Sequence, residues 1–354
     1  MSTESPLALS VLDLVPVRAG QTSAQAVSAS LDLVARAEDL GYRRYWFAEH
    51  HNMPAVASTT PPVLIAAAAG RTSRIRVGSG GVMLPNHSPL VVAEQFSALE
   101  AIAPGRIDLG IGRAPGSDPV ITQLLFRSGT TSDVERFPDH IRDILSLTSP
   151  EGATVRFSSG GEYQVHATPA AEGSPEVWLL GSSDYSAQLA AALGLPYVFA
   201  NHFAGAGLER ALELYRTAFQ PSATLSAPRT FVTANVIASP ITEEAEERAL
   251  PQLRMMARLR SNMPLVPLES IEQAKSAPLG ASADSIMAQA RASWFVGSGS
   301  DVASELTAFA AKHGVEEIMI SPIAGAYETE SLDAADGRAQ TLALLAGAVL
   351  PIAA

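Results

Sequence analysis

Apolar runs of strand length alternate with helical periodicities along nearly the whole chain. LALSVLDLVP (7–16), stopped by Pro16, predicts a first strand. Leu31, Val34, Ala35 and Ala37 then recur at helical spacing up to a stop at Gly41. RYWFAEH (44–50) predicts the second strand, followed by a helix over 60–72 opened by Pro61 and Pro62. RIRVGSGGVML (74–84) precedes a helix over 89–102 opened by Pro89, and RIDLGIGRA (106–114) precedes one around 133–148. EVWLLGSS (176–183) leads into a helix over 184–194 that ends at Gly194, and PYVFANHF (196–203) into one over 207–219. RTFVTANVIAS (229–239) is followed by a long helical region, and EEIMISP (316–322) by a last helix over 338–353. Eight strands this apolar, each followed by a helix, imply a parallel sheet buried on both faces. The fold expected is an α/β (β/α)₈ TIM barrel occupying one domain over 1–354. A doubly wound open sheet is the competitor, but LDLVPVRAGQ lacks the glycine-rich turn that such sheets carry after their first strand.

Two stretches exceed the plain repeat. Residues 150–175 read as a hairpin turning around Ser158–Gly161. Residues 258–293, after the seventh strand, form an insertion that is either a lid over the barrel mouth or a surface excursion.

Barrel chemistry sits at the C-terminal ends of the strands, and here those ends are polar. The second strand delivers Glu49, His50 and His51; the third is followed by Pro85, Asn86 and His87; the fourth ends in Gly112 and Arg113. The fifth ends in Gly181, Ser182 and Ser183, and the sixth in Asn201 and His202. A single strand-end histidine is usually structural, whereas five polar ends around one mouth indicate a site. Ser182, Ser183 and Ser186 stand where a strand turns into a helix, whose first-turn N–H groups suit a phosphate; ordinary N-capping by Ser183 or Asp184 is the plainer reading. Arg113 closes the neighbouring strand and reaches the same point with a bidentate guanidinium, its plainer role being a structural ion pair. The glycines of VGSGGVMLP (77–85) suit either close approach of a flat ring or an irregular strand needed for closure.

Composition removes several chemistries. Without cysteine there is no disulfide, thiolate metal site or cysteine nucleophile. Lys275 and Lys312 are the only lysines among 24 basic residues, and neither lies in a predicted strand, which disfavours a Schiff-base aldolase. A net charge of −12 disfavours nucleic acid and anionic lipid as partners. The N-terminal MSTESPLALSVLDLVP reads as neither signal peptide nor membrane helix, and LALLAGAVLPIAA is too short to span a bilayer. The expected location is cytoplasmic. A metal-dependent hydrolase would draw on Glu49, His50, His51, His87 and His202, but LSVLDLVP lacks the H-x-H such enzymes usually carry on strand one.

YWFAEHHN, GSGGVMLPNHSPLVVAEQFSALEAIAPGRIDLGIGRAPG, LLGSSDYSAQLAAALGLPYVFANHF and FVGSGSDVASELTAFAAKHGVEEIMI together resemble the bacterial luciferase-like flavin monooxygenases, in their stand-alone alkanal-monooxygenase-like branch. The resemblance runs from about residue 7 to 350. It implies a barrel that uses reduced FMN and O2 to oxidise a small organic substrate, an aldehyde among the candidates, with FMN supplied by a separate flavin reductase. It places Arg113, Ser182, Ser183 and Ser186 around the FMN phosphate and a non-proline cis peptide at Gly80–Gly81 beneath the ring. His50 matches the histidine implicated in the chemistry. Successive strand residues face opposite sides, so His50 is assigned to the reaction and His51 to a supporting contact, with Glu49 orienting one of them. Departures lie at Gly181 and Ser182, where luciferase has a carboxylate, at Gly112, where it has a cysteine, and at Asn201, where it has a tryptophan. The ring environment and substrate therefore do not transfer. The family's dimers, packed through barrel helices, imply a homodimer here, for which the alanine-rich 60–72 helix is suited. An F420-dependent oxidoreductase on the same barrel, or a non-catalytic flavin-binding relative, is the alternative.

Overall fold

The computed structural model describes residues 7–114, 119–127, 134–203 and 206–350. Residues 1–6 of the predicted N-terminus, Asp133 of the 133–148 helix and 351–353 of the last helix lie outside the described residues. The strands are β1 (Ala8–Asp13), β2 (Arg44–Phe47), β3 (Arg76–Met83), β4 (Ile107–Gly112), β5 (Ala153–Arg156), β6 (Glu162–Val165), β7 (Glu176–Gly181), β8 (Tyr197–Phe199), β9 (Thr230–Ser239), β10 (Phe295–Ser298) and β11 (Glu317–Pro322). The first helices are α1 (Ser23–Asp39), α2 (Pro61–Ala69), α3 (Pro89–Ile102), α4 (Pro119–Arg127), α5 (Phe137–Leu147) and α6 (Asp184–Leu193). They continue with α7 (Leu208–Ala218), α8 (Thr242–Arg260), α9 (Ile271–Ser276), α10 (Ala281–Arg291), α11 (Gly299–His313) and α12 (Asp336–Val349).

β1, β2, β3, β4, β7, β8, β9 and β11 pair in that order, each parallel to the next, and β11 returns to β1, so the sheet closes into an eight-stranded barrel. The eight are the strands expected from the apolar runs. β10 is a short addition on the far half of β9, with Phe295 opposite Val236. β5 and β6 form the expected antiparallel hairpin, its turn closed by Phe157 N–H on the Gly161 carbonyl at 2.8 Å. Local signals set the helix ends. Thr22 and Gln25 make a reciprocal capping box on α1, prolines open α2 and α3, and Gly194 takes the left-handed conformation that ends α6.

Alternation along the strands fills the barrel in layers. At the N-terminal end Arg44 is held by Asp108 at 2.9 Å and Glu317 at 2.8 Å, and its guanidinium lies 4.8 Å from the Trp178 ring. Above it Leu12, Trp46, Ala48, Trp178, Val198, Phe231 and Met319 form an apolar cluster separate from the shell between strands and helices. The interior is therefore plugged from below, and only the C-terminal mouth is left for a site.

The insertion 258–293 carries α9 and α10 and is tied at the rim beside β1. Leu268 N–H donates to the Val17 carbonyl at 2.9 Å, and Ala19 N–H to the Leu268 carbonyl at 2.8 Å. Arg254 holds Glu269 through two bonds of 2.5 and 2.9 Å and caps the Ala277 carbonyl at 2.5 Å. The segment is a docked excursion against the loop that follows β1.

Candidate active site

Past Phe47 the chain of β2 stays paired for one more residue, with Ala48 N–H on the Asp13 carbonyl at 3.0 Å. It then delivers Glu49, which is 1% exposed. Two imidazoles converge on one oxygen of this carboxylate: His51 Nε2 and His87 Nε2 each lie 2.8 Å from Oε1. The other oxygen accepts the Met83 amide at 3.0 Å. Burial alone would raise the Glu49 pKa, but the His51 and His87 bonds, the His87 charge and the Met83 amide outweigh it and bring it down to about 2. Glu49 is an anion at any working pH, and an ionised carboxylate only accepts hydrogen bonds. Each ring therefore donates from Nε2. The contact of His51 is with Glu49. His87, singled out only as a strand-end residue, is the second ring that this carboxylate orients.

His50 N–H bonds the Ser58 carbonyl at 3.0 Å. Across the mouth, at the end of β8, His202 is fixed by β9: its Nδ1 lies 2.6 Å from Thr233 Oγ1, and its carbonyl accepts Asn235 Nδ2 at 2.8 Å. Burial first, and the charge of His50 second, lower the His202 pKa to about 4. The two histidines expected at separate strand ends therefore share one mouth. Asn201, the neighbour of His202, donates its N–H to the Phe199 carbonyl at 2.9 Å.

On the third side the guanidinium of Arg113 lies 4.1 Å from the centre of the Tyr185 ring, in the first turn of α6. That stacking brings Arg113 and the serine turn together. Ser183 occupies the N-cap position but makes no capping bond, so the first-turn amides of α6 lack a side-chain acceptor from it. Ser186 differs from the expectation of a hydroxyl presented at the turn. It is buried, and its Oγ donates to the Ser183 carbonyl at 2.8 Å. Asp184, whose charge opposes an anion there, is neutralised by Arg210 at 2.7 Å.

The Gly80–Gly81 peptide is cis. The lack of side chains has a packing reason. A Cβ on Gly80 would stand 2.6 Å from Leu12 Cδ1, and one on Gly81 would stand 2.7 Å from the Gly110 carbonyl oxygen. The strand register shifts at the same place, between Gly80 and Val82. The irregular strand needed for barrel closure is thus realised.

Tyr185, Thr233 and Asn235 escaped the sequence reading. Thr233 and Asn235 carried a signal: they are polar residues at alternating positions in the middle of a strand whose other central residues are apolar. Among the described residues no group of three or more histidine and acidic side chains could hold a metal ion, and no helix is long and apolar enough to cross a membrane.

A sequence model described as luciferase-like monooxygenase matches residues 8–330. The chain is 49% identical over 247 residues to a luciferase-like monooxygenase of Escherichia coli, covering 69% of this chain and 70% of the relative. It is 31% identical to the N-acetyl-S-alkylcysteine monooxygenase of Bacillus subtilis, over 91% of this chain and 95% of the relative. The crystal structure of apo-MsnO8 superposes with a TM-score of 0.83 at 32% identity, over 97% and 98% of the two chains. Two more distant structures share the fold. One is the oxygenating constituent of a 3,6-diketocamphane monooxygenase of Pseudomonas putida in complex with FMN (TM-score 0.70, 18% identity, 98% and 99% covered). The other is an F420-dependent secondary alcohol dehydrogenase (TM-score 0.65, 14% identity, 98% of each chain). With its closed barrel, its polar mouth and a match running from the first strand past the last, the chain belongs to the luciferase-like monooxygenase family.

Proposed function

We propose that the protein is an FMN-dependent monooxygenase, one domain over 1–354, which binds reduced FMN at the mouth and oxidises a small organic substrate with O2. The observation that carries this is the pairing of Arg113 with the uncapped N-terminus of α6: a guanidinium stacked on Tyr185 beside first-turn amides whose N-cap serine makes no capping bond. That donor set suits a phosphomonoester dianion. Ser182 and Ser183 flank it, and Gly80–Gly81 offers bare backbone for a ring. Reduced FMN, when bound, supplies the two electrons for O2. Arg113 and the α6 amides hold the phosphate, and the apolar Leu14, Ala48 and Leu180 below the mouth exclude water. His50 holds or passes the proton at the reacting oxygen. Glu49 stays anionic and fixes the rings of His51 and His87, so that neither swings into the space His50 needs.

No nicotinamide fingerprint occurs in the sequence, which supports a separate reductase as the source of reduced flavin. Exposed Val63 on α2 and Leu90, Val91 and Ile102 on α3 support a homodimer packed through these helices. Sedimentation showing a monomer at micromolar concentration would remove the dimer.

The test is anaerobic titration of the purified protein with reduced FMN and with reduced F420, followed by mixing with oxygenated buffer. FMN is expected to bind more tightly and to be oxidised while bound. Preference for F420, or binding of neither, would overturn the reading.

A further inference from the structure

The end of β8 holds a second histidine whose proton can be placed. Three bonds fix His202: its N–H to Thr233 Oγ1 at 3.2 Å, its carbonyl to Asn235 Nδ2 at 2.8 Å, and its Nδ1 to Thr233 Oγ1 at 2.6 Å. Thr233 and Asn235 are themselves buried in the barrel wall. The threonine hydroxyl has one proton to give. Of the two acceptors within reach of that proton, ring Nδ1 is the nearer, at 2.6 Å from Oγ1. The competing acceptor, the Phe199 carbonyl, makes the longer bond at 3.3 Å and already receives Asn201 N–H at 2.9 Å. A hydroxyl that donates along the shorter bond leaves Nδ1 without a hydrogen. The proton of the neutral ring is then on Nε2, the ring nitrogen not bonded to Thr233, which has no hydrogen-bond partner among the described residues. Burial and the nearby His50 keep the ring neutral through the physiological range.

We propose that His202 presents a fixed neutral Nε2–H donor at the barrel mouth, across from His50, for the oxygen atom that gains negative charge during the reaction. The proposal rests on the flavin reading above and adds a residue to it. A neutral imidazole donates a hydrogen bond without giving up its proton, so it stabilises a developing charge while His50 handles proton transfer. No bond to His202 forms or breaks. Thr233 and Asn235 act through it as positioning residues: one sets the tautomer, the other holds the backbone.

Two measurements test this on the full chain. Protein labelled with ¹⁵N-histidine is examined by NMR from about pH 6 to 8, with the His202 signals assigned by their loss in His202→Asn. The expected result is an Nε2–H tautomer that does not titrate over this range and that Thr233→Val converts to a mixture. An Nδ1–H tautomer, or an imidazolium at neutral pH, would overturn the assignment. Oxidation of bound reduced FMN by O2 is then followed at saturating flavin. His202→Asn is expected to slow it by roughly 10²-fold, the usual effect of losing one such donor, while reduced-FMN affinity changes less than about twofold. His202→Gln, which carries an N–H donor at similar reach, should recover most of the rate. Oxidation by His202→Asn at the wild-type rate would overturn the role. Failure of the wild-type protein to bind reduced FMN would instead remove the flavin reading and the role together. The tautomer would still be decided by the spectra.

Discussion

Arg113 is the residue on which the phosphate assignment turns. Its guanidinium is exposed and, among the described residues, stacks on Tyr185, which leaves its N–H groups directed to the phosphate in the proposed reading. Hydrogen bonds to charged groups contribute about 1.5–3 kcal/mol. Arg113→Ala should therefore weaken reduced-FMN binding by roughly one to two orders of magnitude. Riboflavin, which has no phosphate, should bind almost as before. Equal loss for both ligands in fluorescence titrations would place the arginine under the ring or in the fold instead. Glu49 makes a separate prediction about pH. Its pKa is depressed in the folded state, so its contribution is present above the ordinary value of 4.5 and is lost as pH falls towards about 2. The full shift corresponds to roughly 3 kcal/mol. In urea denaturation Glu49→Gln should be less stable than wild type at pH 7, and the gap should narrow by about pH 3. A gap independent of pH would mean that the site values the shape of the carboxylate and not its charge.

Among the elements, the insertion after β9 is where the sequence reading left two options. The composition of 258–293 is that of a long loop, and loops of that length often move. Its anchoring points lie elsewhere in the chain: Arg254 on α8 clamps Glu269, and Leu268 donates one backbone bond to the loop after β1 and accepts another from it. Arg254→Ala should release it. Loss of a charge-assisted pair at about 2 kcal/mol predicts exchange of the Leu268 and Ala19 amides roughly 30-fold faster than in wild type. Unchanged exchange would show that Ala55, Met255 and Leu268, which pack together there, hold the segment by apolar contact alone. The α6 turn shows a similar division. The serines were visible in the sequence, but the inward turn of Ser186 was not: its Oγ lies 2.8 Å from the Ser183 carbonyl and 3.3 Å from Tyr197 OH.

For the whole molecule, closure of the barrel concentrates charge at its N-terminal end. Arg44 lies between Asp108 and Glu317 under the Trp178 and Phe231 rings, while Arg76 and Arg43 approach the same two carboxylates from the rim. Removing one partner of a buried pair leaves the other uncompensated, at a cost of about 3–5 kcal/mol. The two rim arginines place Arg44→Met near the lower figure. Urea unfolding should show a midpoint shift with an unchanged slope. A variant as stable as wild type would mean that water or the rim arginines satisfy both carboxylates.

The sequence by itself determined the eight strands, most of the helices and the ring of polar strand ends. These features rest on short-range causes: buried parallel strands need unbroken apolar runs, and prolines and glycines punctuate within a few residues. β10 escaped because four residues, FVGS, carry too little periodicity, and α4 because it follows so closely on the fourth strand. The tertiary structure alone decided how those ends combine. Glu49 and His87 are 38 residues apart, His202 and Thr233 31, and Arg44 and Glu317 273. Such pairs exist only because a closed sheet sets side chains from separate strands a few ångströms apart at the same height. No local pattern records which of several histidines will face a carboxylate and which a hydroxyl; barrel register and the direction of each chain turn at the mouth decide it.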